Sequence, residues 1–342
     1  MKTLMISAAT IAIAIPTSAQ PPQPSAASAS AQAPADKSVR QAAPYRVSKT
    51  PWGDPDLQGV YTNKDENGIP LERPSALAGK NLGDVNDDEL KDLIAERSKA
   101  AVERAPGIGG ADTGAGPTHW YEHYGARNSR AWLVVDPPDG AIPAPTAEAN
   151  ARTASRAVAR GVRGPADSAE DRSLYDRCIT RGIPGSMTPA IYGNSYEIIQ
   201  SPGWVAIRYE MVHETRLIPL DARPHVRSGI QTYMGDARGH FEGNTLVVET
   251  TNFKPTSAYR GASEHLKLIE RFTPRAARTV EWSVTAEDSH TWARPWTFAM
   301  NLTKDPTQAI FEYGCHEGNY GLRDILSGAR ADEAAAAKAV AK

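Results

Sequence analysis

The chain has only two cysteines, no block of basic residues and, beyond its N-terminus, no long apolar run. The missing apolar run leaves no candidate for a membrane-spanning helix, which needs about 20 such residues. The missing basic block, with a formal net charge of −2, argues against a nucleic-acid partner, which would call for a positive stripe or patch. No Walker loop, no dinucleotide fingerprint after a strand and no G-x-S-x-G elbow is present, so those chemistries have no motif to rest on.

What is there begins with compartment. In "MKTLMISAATIAIAIPTSAQ" one lysine precedes an apolar run from Leu4 to Ile15 and a small-residue site at Thr17-Ser18-Ala19, the pattern of a signal peptide over residues 1–19. Residues 20–44 are Pro, Ala, Ser and Gln, too poor in apolar side chains to offset ordering entropy, and read as a tether. A secreted or periplasmic product is expected. With 40% hydrophobic and 23% charged residues, the remainder is ordinary globular chain, expected as one β-rich domain over 45–333 followed by a frayed helical tail at 334–342. In an oxidising compartment Cys178 and Cys315 most simply pair, against the alternative of a reactive thiol at Cys315. On the chain-entropy model a bridge closing so long a loop contributes roughly 4–5 kcal/mol.

Two textures divide the domain. Residues 45–170 are punctuated by Pro and Gly, with one clear helix in "DVNDDELKDLIAERSKAAVERA", capped by Asp84 or Asn86, and a polar helix near 145–160. This half reads as an irregular, partly helical wrapping layer. From 190 to 317, short alternating segments follow one another with no helix between them, including a hairpin at Ser201-Pro202-Gly203. Roughly eight antiparallel strands at such spacing predict a mainly β fold, a lipocalin-like barrel or a sandwich. A barrel of that size can enclose one small ligand.

Period two assigns faces. In 204–217 the apolar set runs Val205, Ile207, Tyr209, Met211, His213, Thr215, Leu217, which predicts that Tyr209 and His213 point inward. In 292–302 Arg294 falls among Trp292, Trp296 and Phe298, which predicts an inward guanidinium. In 310–316 neither face is clearly the apolar one. A bridged Cys315 would fix the end of "EYGCHEGNYG" and set His316, Glu317, Asn319 and Tyr320 on the rim of the barrel mouth. Tyr233, Asp236 and Arg238 in "YMGDARGH" are candidates to line the same site, although Gly235, Gly239 and Gly243 mark connecting turns whose polar residues satisfy loop backbone. A lone inward histidine is also, more often than not, a hydrogen-bonded core residue, and Arg294 has a competing reading as a cation–π strut.

"HWYEH", residues 119–123, matches the H-x-x-E-H zinc pattern. Its setting between a glycine-rich run and "YGARN" leaves little room for the long helix that such a site requires, so no metal is expected. His119, Tyr121 and His123 are instead candidates for an aromatic cover over the barrel mouth.

The runs "YDRCITRGIPGSM", "YEMVHETRLIPLD", "YMGDARGHFEGNTLVVETTNF" and "EYGCHEGNYGLRDILSGARADE" resemble a large family of secreted bacterial proteins, most without an assigned activity, over about residues 51–333. The chain is also similar to cofactor-independent decarboxylases that open phenylcoumaran-type, lignin-derived aromatics. That resemblance implies a lyase without cofactor acting on a small carboxylated aromatic compound. The inward set fits the demand: Arg294 to orient the carboxylate, Trp292 and Trp296 to stack on aryl rings, and His213, Tyr209 or His316 to deliver a proton. An exported binding protein without turnover and a carbohydrate-active lyase are the alternatives.

Overall fold

The computed structural model describes residues 45–104, 122, 127–190 and 192–340, so the expected signal peptide and tether, and His119, Tyr121 and His123, lie outside the described residues. Period-two alternation becomes real strands from Ser195 onward, as in Thr279–Glu287, where Val280, Trp282, Val284 and Ala286 alternate inward. The strands are β1 (Gly59–Thr62), β2 (Val134–Asp136), β3 (Ser195–Ser201), β4 (Trp204–Tyr209), β5 (Thr215–Pro219), β6 (Asp236–Glu242), β7 (Thr245–Thr251), β8 (Lys267–Ala276), β9 (Thr279–Glu287) and β10 (Trp296–Lys304).

They form one antiparallel sheet in the order β5-β4-β3-β1-β10-β9-β8-β7-β6, with β2 added on β10. The sheet curls into a nearly closed barrel, not a sandwich. Its end strands share no ladder, yet they approach so closely at Gly239 that an added Cβ would lie 2.7 Å from Ile218 Cγ2 and 2.8 Å from Leu220 Cδ2. Gly239 is therefore a strand residue whose missing side chain lets the seam close, and "GDARGHFEGN" is β6 with its hairpin rather than a string of connecting turns.

The division into wrapping layer and barrel needs one correction. β1, from the N-terminal half, is a barrel strand between β3 and β10, with Tyr61 opposite both Tyr196 and Lys304. β2, from the same half, pairs with β10 beside that ladder. Helix α1 (Asp87–Arg104) starts at Asn86, whose Oδ1 accepts the Glu89 N–H at 2.9 Å, and sets Leu90 and Leu93 against Leu77 and Trp132. Helix α2 (Ala147–Arg160) is capped by Thr146, which accepts the Ala149 N–H at 3.1 Å. At the other end, helix α3 (Gly321–Val340) continues into the expected tail as far as Val340 and buries no residue.

Three expected strands prove different, each for a local reason. Residues 204–217 form a hairpin, because Val212 and His213 take positive φ of 64° and 43° and reverse the chain. The alternation slips there, so Arg216 points inward and Leu217 outward, where it is 62% exposed. Residues 288–295 are a turn ending at Pro295, so β10 starts only at Trp296. Residues 310–316 form no strand.

The barrel axis is filled with side chains. Trp282, Trp296, Phe272, Phe298, Tyr196 and Tyr209 are fully buried there, and Arg216 on β5 meets Glu270 on β8 across the interior, with Nη2 donating to Oε1 at 3.1 Å. Trp282 Nε1 donates to the same Oε1 at 3.1 Å. The expectation of a ligand inside the barrel is thus overturned by packing.

Candidate functional site

Concave surface lies at the barrel end where β3 and β8 begin and β4 and β7 finish. A cleft of about 740 Å³ opens there between the 173–185 segment, Tyr192, Met211 and the 256–260 segment. Among the described residues its lining holds Arg181 and Arg260 but no Asp or Glu, and three phenols, Tyr175, Tyr192 and Tyr259. A wall with cations and aromatic rings but no carboxylate favours an anionic, aromatic ligand.

Arg181 is the central side chain. Its guanidinium carbon lies 5.6 Å from the Tyr175 ring centroid, and Nη1 is buried with no hydrogen-bond partner among the described residues. Buried donors are almost always paired, and unlike the unpaired Trp296 and Tyr209 atoms of the core this one belongs to a residue that lines a cleft. Glu214 fixes the backbone that carries it: Oε2 accepts from Thr180 Oγ1 at 2.9 Å, Arg181 N at 3.4 Å and Ser186 Oγ at 3.5 Å. Burial pushes the Glu214 carboxyl up, and these hydrogen bonds only partly offset it. On the opposite wall Tyr259 stacks on Trp296 with centroids 6.0 Å apart, and burial pushes its phenol up to about 12. Arg260 beside it holds a positive φ of 52°, which turns the chain at the cleft edge.

A second cleft, about 530 Å³, is lined by Tyr192, Glu312, Tyr313, Gly314, Cys315 and Asn319. Between the two clefts stands a wall built from both disulfide-tied segments. Cys178 is bonded to Cys315, and the Tyr313 hydroxyl lies 3.3 Å from that of Tyr175 and 3.2 Å from that of Tyr192. Burial, then the two phenol contacts, push the Tyr313 hydroxyl up strongly, and burial raises Tyr175 as well.

The structure scatters most of the residues proposed from sequence. His213 is exposed rather than inward, its Nδ1 2.8 Å from the Tyr313 carbonyl oxygen. Arg294 is exposed because it precedes Pro295 in the turn before β10, and with Trp292 it lines a separate cleft of about 610 Å³ that also holds His265 and His290. Those two imidazoles stack at 4.3 Å. Tyr209 and Trp296 are sealed in the core and reach no ligand. Asp236 and Arg238 serve the loop: Asp236 Oδ2 accepts the Val226 N–H at 2.9 Å and lies 2.9 Å from His225 Nδ1, and Oδ1 accepts from Arg238 at 2.6 Å. Tyr233 lies under Lys254 Nζ, 4.5 Å from its ring centroid. His316 and Glu317 are exposed beyond Cys315, and Asn319, which lines the second cleft, donates to the Cys315 carbonyl at 2.7 Å.

Of the "HWYEH" segment Glu122 is described, and its carboxylate accepts from Gly193 N at 3.1 Å and from Asn194 Nδ2 at 2.7 Å, next to Tyr192. Sequence reasoning missed Arg181, Tyr175, Tyr192, Tyr259 and Tyr313 as site residues. The signal that pointed nearest to them was the run "YDRCITRGIPGSM", which holds Tyr175 and Arg181 on either side of the bridged Cys178.

No family model matches the chain, and no curated protein does. Among solved structures, a secretory abundant heat soluble protein from Ramazzottius varieornatus is similar at 10% identity, covering 39% of this chain and 87% of that one with a TM-score of 0.23.

Proposed function

We propose that the protein is an exported lyase that needs no added cofactor and acts on a small carboxylated aromatic compound held in the Arg181 cleft. One observation carries the reading: a buried guanidinium nitrogen, unpartnered among the described residues, in a lining whose described residues include two arginines, three phenols and no carboxylate. Arginine pairs with carboxylate through parallel hydrogen bonds that fix its plane. An aryl ring seated on the aromatic wall would displace water from beside the carboxylate, which disfavours the bound anion relative to neutral carbon dioxide.

The resemblance to phenylcoumaran decarboxylases supplies a reaction that suits this wall. The C–COO⁻ bond breaks and carbon dioxide leaves. The freed electron pair becomes a C=C bond, the ring C–O bond breaks, and the aryl oxide takes a proton from an acid in reach. The bridge Cys178–Cys315 is in keeping with export to an oxidising compartment.

A second reading, an exported binding protein without turnover, is favoured by the absence of Asp, Glu and His among the described residues of the cleft lining. The two part in one assay. Purified protein is incubated with a phenylcoumaran-type acid and a chelator, and the absorbance of the conjugated stilbene product is followed. The lyase reading expects chelator-insensitive conversion that falls at least about tenfold in Arg181→Met. A ligand-dependent rise in Tm with no product would leave the binding protein.

A further inference from the structure

The wall between the two clefts is more than a partition. Tyr175 and Tyr192 line the larger cleft, Tyr192 and Tyr313 line the smaller, and the Tyr313 hydroxyl touches both others at 3.3 and 3.2 Å. Each phenol brings one proton, and the two contacts use two. When the chain of donors runs Tyr192 to Tyr313 to Tyr175, the proton of Tyr175 is left to point at whatever occupies the larger cleft. Linked hydroxyls polarise one another, so a donor backed by a second phenol is a stronger donor than a lone one. The Arg181 guanidinium over the Tyr175 ring adds positive charge to the same corner.

We infer that the Tyr175–Tyr313–Tyr192 cluster is a binding subsite for a phenolate oxygen, with Tyr175 as the direct donor and Tyr313 as the positioning residue behind it. The chemistry fits that occupant. A phenol O–H donating to a phenolate is a charge-assisted hydrogen bond, roughly twice as strong as one between neutral groups. The disulfide brings the donor and its support together, since Tyr175 precedes Cys178 and Tyr313 precedes Cys315.

The assignment rests on the lyase reading for one point, the origin of the oxygen, which is then the aryl oxide released on ring opening. Arg181 takes the carboxylate end, and the phenol wall takes the oxygen end. The proton passes from Tyr175 O–H to the aryl oxide, and Tyr175 regains one from Tyr313 along the chain, with water in the smaller cleft as the final source. No oxidant or reductant is involved.

The test uses 4-nitrophenol and its isostere 4-nitrotoluene on the full protein, without any requirement for turnover. At a pH below the free phenol's own pKa, wild-type protein should bind 4-nitrophenol with the absorbance band of the phenolate. It should prefer it to 4-nitrotoluene by about tenfold or more, the worth of a hydrogen bond to a charged group. Tyr175→Phe and Tyr313→Phe should each lose about tenfold for 4-nitrophenol while binding 4-nitrotoluene as before, and Tyr313→Phe should raise the pH at which the bound phenol ionises.

Equal affinity of wild-type protein for the two compounds, or a neutral bound phenol, overturns the subsite even where a variant fails to fold. Unchanged binding in both folded variants overturns it as well. Turnover of a phenylcoumaran-type acid is scored separately. Phenolate binding without turnover leaves the subsite and removes the lyase, whereas turnover without phenolate binding does the reverse.

Discussion

Arg216 and Glu270 face each other inside the barrel with almost no exposure, 4% and 0%, and join β5 to β8 across the core. Taking two charges out of water costs several kcal/mol per ion, so such a pair holds only while both partners and their hydrogen bonds remain. Glu270→Ala is expected to destabilise by about 3–5 kcal/mol in urea unfolding, because it strands a buried guanidinium. The double variant Arg216→Met/Glu270→Leu should recover much of that loss. Trp282 Nε1 then lacks its acceptor, at about 1–3 kcal/mol, so recovery should be incomplete. A double variant as unstable as Glu270→Ala would contradict this account of the core.

Cys178 and Cys315 are 137 residues apart, and their bridge fixes both cleft-wall segments. Cys178→Ser/Cys315→Ser should lose up to about 4–5 kcal/mol of stability. At temperatures where it remains folded, its affinity for a cleft ligand should also fall, since Tyr175 and Tyr313 come from the two released segments. Full affinity in the folded double variant, read by calorimetry, would show that the bridge does not shape the cleft.

Glu214, Glu66 and Glu210 all have carboxyls raised chiefly by burial. A group whose folded pKa exceeds its unfolded one favours the fold fully below the unfolded value, about 4.3 for Glu, and that contribution is lost as pH rises through the folded value. Replacing Glu214 by the neutral isostere removes its share. Glu214→Gln should therefore compare more favourably with wild type at neutral pH than at about pH 4, the unfolded carboxyl range. Chemical denaturation at the two pH values reads the difference, and the opposite trend would mean that the folded state prefers the ionised carboxylate.

The separation of the clefts predicts different fates for the cationic residues. Arg294→Ala lies outside the Arg181 cleft lining, in the separate cleft with His265 and His290, and should leave affinity for an aryl carboxylate within about twofold, as exposed changes remote from a ligand do. Tenfold loss in Arg294→Ala, measured by calorimetry, would move the ligand away from Arg181.

Strand content and the mainly antiparallel barrel were legible because period two reports burial directly, as in Val280, Trp282, Val284 and Ala286. The hairpin at Ser201–Trp204 was legible too, since Gly203 supplies the positive φ of 78° that the turn needs. The reversal at Val212–His213 was not. A β-branched residue is the last type expected at positive φ, so the alternation read straight through it and sent His213 inward. Arg294 was misplaced for a related reason, because the turn ends at Pro295, the fourth residue of what looked like one strand from 292 to 302.

The site was harder still. Tyr175, Arg181, Tyr192, Tyr259 and Tyr313 sit in segments without periodicity, and only the folded chain and its disulfide gather them. "EYGCHEGNYG" contributes its tyrosine and cysteine to the walls of the clefts, whereas its histidine faces solvent.

The central claim is that Arg181 receives a carboxylate in an aromatic cleft. Titration calorimetry of a phenylcoumaran-type carboxylate against wild-type protein and Arg181→Met tests it most directly. Binding should be measurable in the wild type and weaker by at least about tenfold in the variant, the worth of a charge-assisted pair, with 4-nitrotoluene bound equally by both. Equal affinity for the carboxylate in the two proteins would contradict it.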